Sequence, residues 1–581
     1  MKWEEEGYSR YDVNEHGNPV TFEQYNQSRP LRGRLNFLTR GELKLLLIAG
    51  VGFFLDSYDL FIINLVTPVW IDEYWGGSQS RYPFFLRGCV NGAANFGNVI
   101  GQLTFGFLGD AFGRRFVYGK ELILCIIGMV LVISLPNSIP TPNSKMVWIL
   151  CWRIVMGIGI GGDYPMSASI TSERTHLRRR GILLGFIFSN QGWGTLAGSI
   201  VTVIVLAAFQ KALNVDGHEG QLDAVWRIQM GVAIIPALAT LWPRLTMPEG
   251  KQFLQSQELN SKSTSSSSIE QPAKSDTVPE LANGSESEDG PFARKGSMAI
   301  GTGVAPPALV SGSEVPEAKF NTFFVYFSEW RHFKTLFGTA ATWFLVDVSF
   351  YGINLNQSYI LSVIGFVDGK NNYHKLMKNA LGNLIIAVAG YVPGYFFTIG
   401  FIEVIGRKPI QIGGFLITAL LFGTLAGGYD DIGKGGKFVL FALAQFFFNF
   451  GPNATTFIVP AEVFPSRVRG FAHGLSAAVG KLGAILSAIL FNWLAQYKIG
   501  LPNVLWIFFG CNILGAVITF FFIPETKGRD ADVVDYEEWL EANPGAKVES
   551  RRAEGMLGGK GAAVPPGRPV EKEGIPIDSQ M

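Results

Sequence analysis

Ionisable side chains interrupt several apolar segments that are otherwise long enough to cross a lipid bilayer. A charge inside hydrocarbon is costly, so such residues mark ion paths, substrate sites or buried ion pairs. Asp56 and Asp59 are three residues apart, which places both carboxylates on one face of a helix. Carboxylates in this setting are typical of proton relays. The intramembrane ionisable residues are Asp56, Asp59, Glu121, Arg153, Asp163, Asp347 and Lys481.

The position of each ionisable residue within its segment helps to distinguish a functional role from a structural one. Glu121 and Arg153 lie near segment ends, where a charge that reaches the membrane interface is an equal alternative. Asp163, Asp347 and Lys481 lie within their segments. For these three residues a functional role is favoured over a purely structural ion pair.

A glycine-rich string, Gly157-Ile-Gly-Ile-Gly-Gly162, leads directly to Asp163-Tyr164-Pro165. Such a string can resemble a nucleotide-binding loop, but here it follows no strand and lies in an apolar segment. Close helix packing is therefore the better explanation. Pro165 should break the helical hydrogen-bond ladder and leave free backbone groups beside a cavity.

Trp343, Asp347 and Tyr351 are spaced by four residues and so share one helical face. Indole and phenol groups donate hydrogen bonds, whereas a carboxylate accepts them. This face could hold a small polar ligand. The alternative for the aromatic pair is packing alone.

The composition explains where these residues must lie. Of 581 residues, 48% are hydrophobic and only 16% are charged, against ~25% charged residues in soluble domains. Segments of about 20 apolar residues, enough to cross the hydrocarbon core, recur along the chain. They fall near 45–70, 85–108, 116–135, 147–166, 182–208, 224–244, 334–364, 376–402, 410–428, 437–459, 471–495 and 502–523.

Clusters of arginine and lysine beside short loops predict which side is cytoplasmic. The rule places both termini and the long polar gap on that side, although Lys370, Lys375 and Lys378 on the other side fit it badly. The first ~40 residues are polar and contain no cleavable signal peptide. The clusters are Arg29, Arg32, Arg34 and Arg40; Arg114 and Arg115; Arg174, Arg178, Arg179 and Arg180; Arg407 and Lys408; and Arg467 and Arg469.

Three motifs occur twice, at corresponding places in the two halves of the chain. Asp110 and Glu403 each begin an acid-x-x-Gly-Arg-basic loop, after the second and the eighth segment. Glu173 and Glu462 each precede an Arg-Gly pair at the same distance, and Pro-Glu follows the sixth and the twelfth segment. These repeats indicate two related six-helix bundles.

The predicted fold is an all-α membrane protein with twelve transmembrane helices in two bundles. The expected parts are a cytoplasmic N-terminal segment at 1–44, the first bundle at 45–249, the second bundle at 334–524 and a cytoplasmic tail at 525–581. Residues 250–333 are rich in serine, acidic residues, proline and glycine, and are expected to be a disordered cytoplasmic linker.

This arrangement resembles the major facilitator superfamily over the whole membrane body. The Asp-x-x-Gly-Arg-Arg loop is similar to the cytoplasmic signature of that superfamily, where it forms a charge clamp between neighbouring helices. The alternative is that its basic residues are topology signals alone. The resemblance implies a conformational clamp made of Asp110, Arg114, Arg115, Glu173, Glu403, Arg407, Glu462 and Arg469.

The stretch Gly161–Glu173 is similar to the signature of the fungal and plant phosphate:proton symporters, with mild changes at Met166, Ser169 and Thr171. The resemblance extends to the polar residues of other segments and implies the following roles. The phosphate site would comprise Tyr164, Gln191, Trp343, Asp347, Tyr351 and Asn453, and the proton-coupling residues would be Asp56, Asp59, Glu121, Asp163, Asp347 and Lys481.

The residue chemistry agrees with a phosphate site. Phosphate oxygens accept hydrogen bonds from Tyr, Trp, Gln and Asn, and a carrier that must release its load has no need of arginine forks. Asp347 would repel the anion unless protonated, which links proton uptake to phosphate binding. Lys481 is expected to pair with a carboxylate of the first bundle and to be freed when that group is protonated.

The leading prediction is uptake of inorganic phosphate with protons across a plasma membrane by alternating access, and no enzymatic activity. Without an ATP-binding motif or a metal-ligand spacing, no cofactor is expected and an ion gradient must drive transport. Alternatives are a carrier of a glycerophosphodiester or other small organic anion, a sugar carrier, and a phosphate sensor with a transporter fold. The lipid bilayer is the other expected partner, and no nucleic acid is expected.

The linker is expected to be regulatory, with an inert spacer as the alternative. Arg294-Lys-Gly-Ser297 offers a site for a basic-directed kinase, and Lys262 and Lys274 are accessible for ubiquitin machinery. The four cysteines, Cys89, Cys125, Cys151 and Cys511, show no metal or disulfide spacing and are expected to be buried thiols.

Overall fold

A computed structural model describes residues 40–174, 180–215, 221–246, 320–465 and 468–529, together with residues 531 and 534. Within those ranges the regular structure is helical and contains no strand. Nearly all of these residues belong to one compact unit, which combines both halves of the chain. The predicted all-α fold is confirmed.

The first half folds as helices α1 to α6, of which α6 is interrupted after Gly231. Short helical turns also occur at Gln79–Arg81, Arg114–Val117 and Lys211–Val215. The membrane helices are α1 Arg40–Trp75, α2 Phe84–Phe112, α3 Lys120–Ile133, α4 Pro142–Arg174, α5 Arg180–Ala208 and α6 Leu222–Gly231 with Ile234–Leu245.

The second half repeats this pattern as α7 to α12. Short helices lie at Phe320–Ser328 before α7, at Gln357–Val363 after it, and at Leu494–Lys498 after α11. The membrane helices are α7 Trp330–Asn354, α8 Asn372–Ile386 with Ala387–Tyr391 and Val392–Ile405, α9 Arg407–Gly427, α10 Lys434–Asn449 with Pro452–Val463, α11 Arg469–Trp493 and α12 Gly500–Phe522.

Nine helices in the described ranges are both long and apolar enough to cross a membrane. The other three helices, α2, α3 and α10, match predicted segments but depart from that rule for physical reasons. α3 has only 14 residues, and α10 is divided before Pro452. α2 carries a buried polar stripe instead of a uniformly apolar surface, formed by Asn91, Asn95, Asn98 and Gln102.

The glycine string of α4 packs against two neighbouring helices, as predicted. A Cβ at Gly157 would lie 2.1 Å from the backbone oxygen of Ala94, and one at Gly161 would lie 2.5 Å from that of Asn98, both on α2. On the other side, a Cβ at Gly159 would lie 2.4 Å from the backbone oxygen of Glu121 on α3. Only glycine permits these approaches, which bring α2 and α3 close to Asp163.

α4 remains helical through Pro165 to Arg174, so the ladder hydrogen bond that the proline cannot donate does not divide the helix. Two expectations need correction. The expected disordered linker overlaps a helix at Phe320–Ser328 and the start of α7, because Phe323 and Phe327 are buried against other aromatic side chains. Among the cysteines, Cys125 is buried but Cys151 is exposed. The proposed kinase and ubiquitin sites lie outside the described residues.

Candidate functional site

A buried ion cluster joins three helices of the first bundle. Nη1 of Arg244, at the end of α6, lies 2.8 Å from Oδ1 of Asp163 on α4 and 3.3 Å from Oε1 of Glu121 on α3. Ser167 also donates to Asp163 Oδ1, at 2.9 Å. Because one arginine faces two carboxylates, the cluster is electrically balanced only when one carboxylate is protonated.

Gly52 allows α1 to approach this cluster closely. A Cβ at position 52 would lie 1.5 Å from Oδ2 of Asp163 and 2.3 Å from Nη2 of Arg244. Arg244 Nη2 also donates to the backbone oxygen of Ile48 on α1, at 3.1 Å. The cluster therefore fixes α1 against α4 and α6.

Asp56 belongs to a separate group with Tyr164 and Gln191. The Tyr164 hydroxyl donates to Oδ2 of Asp56. Nε2 of Gln191 donates to the same oxygen at 3.1 Å and to the Tyr164 hydroxyl at 2.8 Å. The structure thus places two predicted substrate residues in direct contact with a predicted proton-coupling carboxylate.

Gln191 also connects the first bundle to the second. Its Oε1 accepts from the hydroxyl of Tyr395 on α8 at 2.9 Å. Nδ2 of Asn453, at the start of the second part of α10, donates to that hydroxyl at 2.8 Å. Tyr395 therefore bridges two predicted substrate residues, although the sequence analysis did not select it.

Lys481 on α11 lies against the second-bundle carboxylate. Its Nζ is 3.2 Å from Oδ2 of Asp347 and donates to the Tyr351 hydroxyl at 2.6 Å. The expected pairing with a first-bundle carboxylate is not found in this state. Lys481 reaches the first bundle through the ring of Tyr164, whose centroid is 5.3 Å from Nζ.

Trp343 forms one wall of the same region. Its ring centroid lies 6.4 Å from that of Tyr164 and 5.6 Å from that of His473 on α11. A Cβ at Gly480 would lie 2.6 Å from Cδ1 of Trp343, so glycine makes room for the indole. Trp343 lies against the first-bundle ring of Tyr164, and Tyr351 stacks on the first-bundle ring of Phe61 with centroids 5.7 Å apart. Asp347 lies between them in sequence, at the spacing that predicts one shared helical face.

Asp59 lies one turn from Asp56 but outside that hydrogen-bonded group. Both terminal nitrogens of Arg153 donate to the backbone oxygen of Asp59 at 3.2 Å. Within the described ranges, Oδ2 of Asp59 is buried without a hydrogen-bond partner. None of these contacts of Asp59 involves a predicted substrate residue.

The two bundles contact each other on both sides of this region. On the predicted cytoplasmic side, Oδ2 of Asp110 on α2 accepts from the backbone amide of Phe471 at 2.8 Å, near the start of α11. On the opposite side, Nδ2 of Asn64 on α1 donates to Oδ1 of Asn383 on α8 at 2.8 Å. The central residues Asp56, Tyr164, Gln191 and Asp347 are all buried.

The second-half copy of the predicted clamp forms a network of ion pairs. Nη2 of Arg407 lies 2.7 Å from a carboxylate oxygen of Glu403 and 2.7 Å from one of Glu462. In addition, Nη1 of Arg469 donates to the Ser172 hydroxyl of the first bundle at 3.2 Å. The side chains of Arg114, Arg115 and Glu173 lie outside the described residues.

Three residues of this region were not predicted from the sequence: Arg244, Tyr395 and His473. Arg244 lies at a predicted segment end, where a basic residue indicates membrane topology. Tyr395 and His473 lie inside apolar segments, and a search for every polar intramembrane side chain would have found both.

Comparison with known proteins identifies the family. The sequence profile described as sugar (and other) transporter matches residues 45–537. This chain belongs to that family. It is 39% identical over 518 residues to the inorganic phosphate transporter PHO84 of Saccharomyces cerevisiae, covering 85% of this chain and 84% of that protein.

Two further fungal relatives extend the comparison. A Schizosaccharomyces pombe protein, provisionally named an inorganic phosphate transporter, is 53% identical over 86% of this chain and 88% of its own length. A repressible high-affinity phosphate permease of Neurospora crassa is 38% identical over 84% of this chain and 85% of its own length.

Solved structures agree on the fold. The proton:xylose symporter XylE, a major facilitator superfamily protein solved with 6-bromo-6-deoxy-D-glucose, matches with a TM-score of 0.63. The match covers 84% of this chain and 98% of that chain at 19% identity. The family match shows a multi-pass membrane transporter and not an enzyme, and the solved structure shows that its fold is the major facilitator fold.

Proposed function

We propose that the protein imports inorganic phosphate together with protons by alternating access. The observation that carries the proposal is a chain of hydrogen bonds across the bundle interface. It runs from Asp56, Tyr164 and Gln191 of the first bundle to Tyr395 and Asn453 of the second. These side chains supply amide and hydroxyl donors for phosphate oxygens. Relatives named as phosphate transporters support the choice of substrate.

Phosphate would bind between Tyr164, Gln191 and Asn453 on one side and Trp343, Asp347 and Tyr351 on the other. Lys481 is a positive charge in direct contact with two of these groups, Asp347 and Tyr351. An arriving anion would compete with Asp347 for the lysine. Protonation of Asp347 removes that competition, so proton and phosphate bind together more favourably than either does alone.

The first bundle would carry the proton between the two sides. Asp56 is hydrogen bonded to the substrate residue Tyr164, whereas Asp163 and Glu121 share Arg244. Protonation of Asp163 would weaken its hold on Arg244 and loosen the contact between α1, α4 and α6. Asp59 would serve as an additional proton site on α1, next to Arg153.

The bundles would rock about this central group. Separation at Asn64 and Asn383 would open the outer side, and separation at Asp110 and Phe471 would open the inner side. The ion pairs of Arg407 with Glu403 and Glu462 would keep the inner ends of the second bundle together during the movement. We place the protein in the plasma membrane with both termini in the cytoplasm.

Uptake by purified protein in liposomes tests the substrate. Labelled phosphate uptake should be suppressed by excess unlabelled phosphate and only weakly by the same concentration of a glycerophosphodiester. Equal suppression by both would favour the organic-anion alternative. An absence of labelled uptake from correctly folded protein would overturn the proposed function.

A further inference from the structure

Arg87 is a buried cation at the outer end of the bundle interface. It lies in the first turn of α2, at the end opposite Asp110, and is only 3% exposed. Arg81, six residues earlier, is exposed and lies in the short helical turn Gln79–Arg81 between α1 and α2. A guanidinium group loses its hydration on burial, so its partners must account for its position.

The hydrogen bonds of Arg87 do not compensate its charge. Nη2 donates to Oδ1 of Asn492 on α11, which is neutral. Nε is buried without a hydrogen-bond partner in the described part of the chain. No described carboxylate lies within 4.0 Å of the guanidinium nitrogens. A buried charge held in this way is destabilising, so a purely structural role explains it poorly.

A second unused donor precedes α2. Tyr82 comes directly before Pro83, whose backbone oxygen accepts from the backbone amide of Arg87 at 2.9 Å. The phenol of Tyr82 is 1% exposed and has a hydroxyl without a partner in the described ranges. The Tyr82 ring stacks on Trp75 with centroids 4.2 Å apart, which holds the phenol in place. A guanidinium N–H and a phenol O–H that are both unused form a pair of donors suited to an oxyanion.

The position of this pair connects it to opening of the outer side. Asn492, which accepts from Arg87, also donates to Oδ1 of Asn356 at 2.8 Å, just after the end of α7. A Cβ on Gly88 would lie 2.8 Å from the Cα of Ile489, so α2 and α11 are in tight contact here. When the bundles separate on this side, Asn492 leaves with α11 while Arg87 and Tyr82 remain at the opening.

We propose that Arg87 and Tyr82 form an outer subsite that captures phosphate from the external medium and passes it to the central site. The proposal rests on the proposed function and adds a second binding step on one side only. A positive group at the mouth of a cleft raises the local concentration of an anion and its rate of association. Closure of the outer side then replaces the anion with Asn492.

The test measures phosphate transport in both directions in sealed proteoliposomes of known orientation. Arg87→Gln should raise the KM for phosphate applied at the outer face by about tenfold, and Tyr82→Phe by about threefold. The KM for phosphate leaving from the inner face should stay at the wild-type value. Raised ionic strength should reduce outer-face uptake less in Arg87→Gln than in wild type.

Two variants separate the subsite from structural effects. Arg81→Gln removes an exposed charge from the same connection and should leave the outer-face KM unchanged. Asn492→Ala removes the partner of Arg87 but keeps its charge, so it should alter the maximal rate without raising the outer-face KM. If Arg87→Gln and Asn492→Ala behaved alike, Arg87 would serve only as a gate contact.

The remaining outcomes identify which proposal fails. If wild type transports phosphate and Arg87→Gln leaves the outer-face KM unchanged, the subsite is overturned and the proposed function stands. A KM raised equally on both faces would also overturn the subsite. If Arg87 binds a lipid headgroup instead of phosphate, Arg87→Gln should not raise the phosphate KM on the outer face alone, and the subsite is overturned. If wild type transports no phosphate, both proposals are overturned together.

Discussion

Nζ of Lys481 and Oδ2 of Asp347 lie 3.2 Å apart at the interface between the two bundles. The lysine also donates to Tyr351 and lies over the ring of Tyr164. Both charged side chains are almost fully buried. Their opposite charges cancel, so the ion pair adds no net charge to the site. A phosphate anion would add negative charge to it, and a proton on Asp347 would restore the balance.

Asp347→Asn should make phosphate binding less dependent on pH. The amide keeps the shape of the side chain but removes the charge that repels the anion above neutral pH. Accumulation of phosphate should nevertheless fall, because release aided by deprotonation is lost. The measurement is phosphate affinity of purified protein from about pH 5 to pH 8, together with uptake in vesicles.

The control for this prediction is Asp347→Glu. The glutamate keeps the charge but adds a methylene in a tightly packed site, so binding should weaken and its pH dependence should remain. If the Asn variant bound phosphate with the same steep pH dependence as wild type, Asp347 would not be the coupling carboxylate. Asp56 or Asp59 would then be the better candidate.

Arg244→Gln should destabilise the folded protein strongly. The change leaves Asp163 and Glu121 buried without their cation, and loss of one partner of a buried ion pair costs about 3–5 kcal/mol. The double variant Asp163→Asn with Arg244→Gln should recover part of that loss, because one uncompensated carboxylate is removed. The measurement is the Tm of detergent-solubilised protein.

A surface pair provides the comparison for Arg244. Lys434 and Asp368 lie 3.3 Å apart, but their side chains are 71% and 76% exposed. Lys434→Gln should leave the Tm unchanged, since exposed ion pairs contribute little. A similar small shift for Arg244→Gln would mean that the buried cluster does not hold the first bundle together.

The helices were predictable because their lengths follow from the thickness of the membrane. The first segment was expected near 45–70 and α1 spans Arg40–Trp75, since a helix continues beyond the hydrocarbon into polar flanks. The third was expected near 116–135, but α3 begins only at Lys120, after Gly119 with φ of +97°. A backbone reversal of that kind leaves no mark in hydropathy.

The central residues were predictable from type and resemblance, but their partners were not. Asp163, Asp347 and Lys481 stand out as charges within apolar segments. The pairing of Asp163 with Arg244 depends on where α6 lies beside α4, and no local pattern contains that information. Tyr395 contacts Gln191 only because α5 and α8 meet across the bundle interface.

Gly52→Ala should impair transport through the buried ion cluster. The added methyl group would lie 1.5 Å from Asp163 Oδ2 and must displace either α1 or the pair of Asp163 with Arg244. We expect uptake to fall by about fivefold or more, since about 1–3 kcal/mol of overpacking strain corresponds to a factor of about 5–150. Gly400→Ala on α8 is the matched control, because nothing lies within 4 Å of its Cβ.

The linker residues before the helix Phe320–Ser328 and those within it are predicted to differ in their importance for uptake. Deletion of residues 255–315 should preserve uptake in protein that reaches the membrane, since all the proposed transport residues lie in the membrane body. Phe323→Ala with Phe327→Ala should reduce uptake, because Phe323 packs on Phe471 with ring centroids 4.6 Å apart, next to the contact of Phe471 with Asp110. Loss of uptake in the deletion variant would contradict the assignment of residues 255–315 to regulation.

The central claim is that a proton gradient drives phosphate uptake. The most direct test is accumulation of labelled phosphate in proteoliposomes with an inward proton gradient, with and without a protonophore, in wild type and Asp163→Asn. We expect wild type to concentrate phosphate above its external level and to lose this ability with the protonophore. Asp163→Asn should exchange phosphate without concentrating it. Accumulation that persists without a proton gradient, or that is unchanged in Asp163→Asn, would contradict the account.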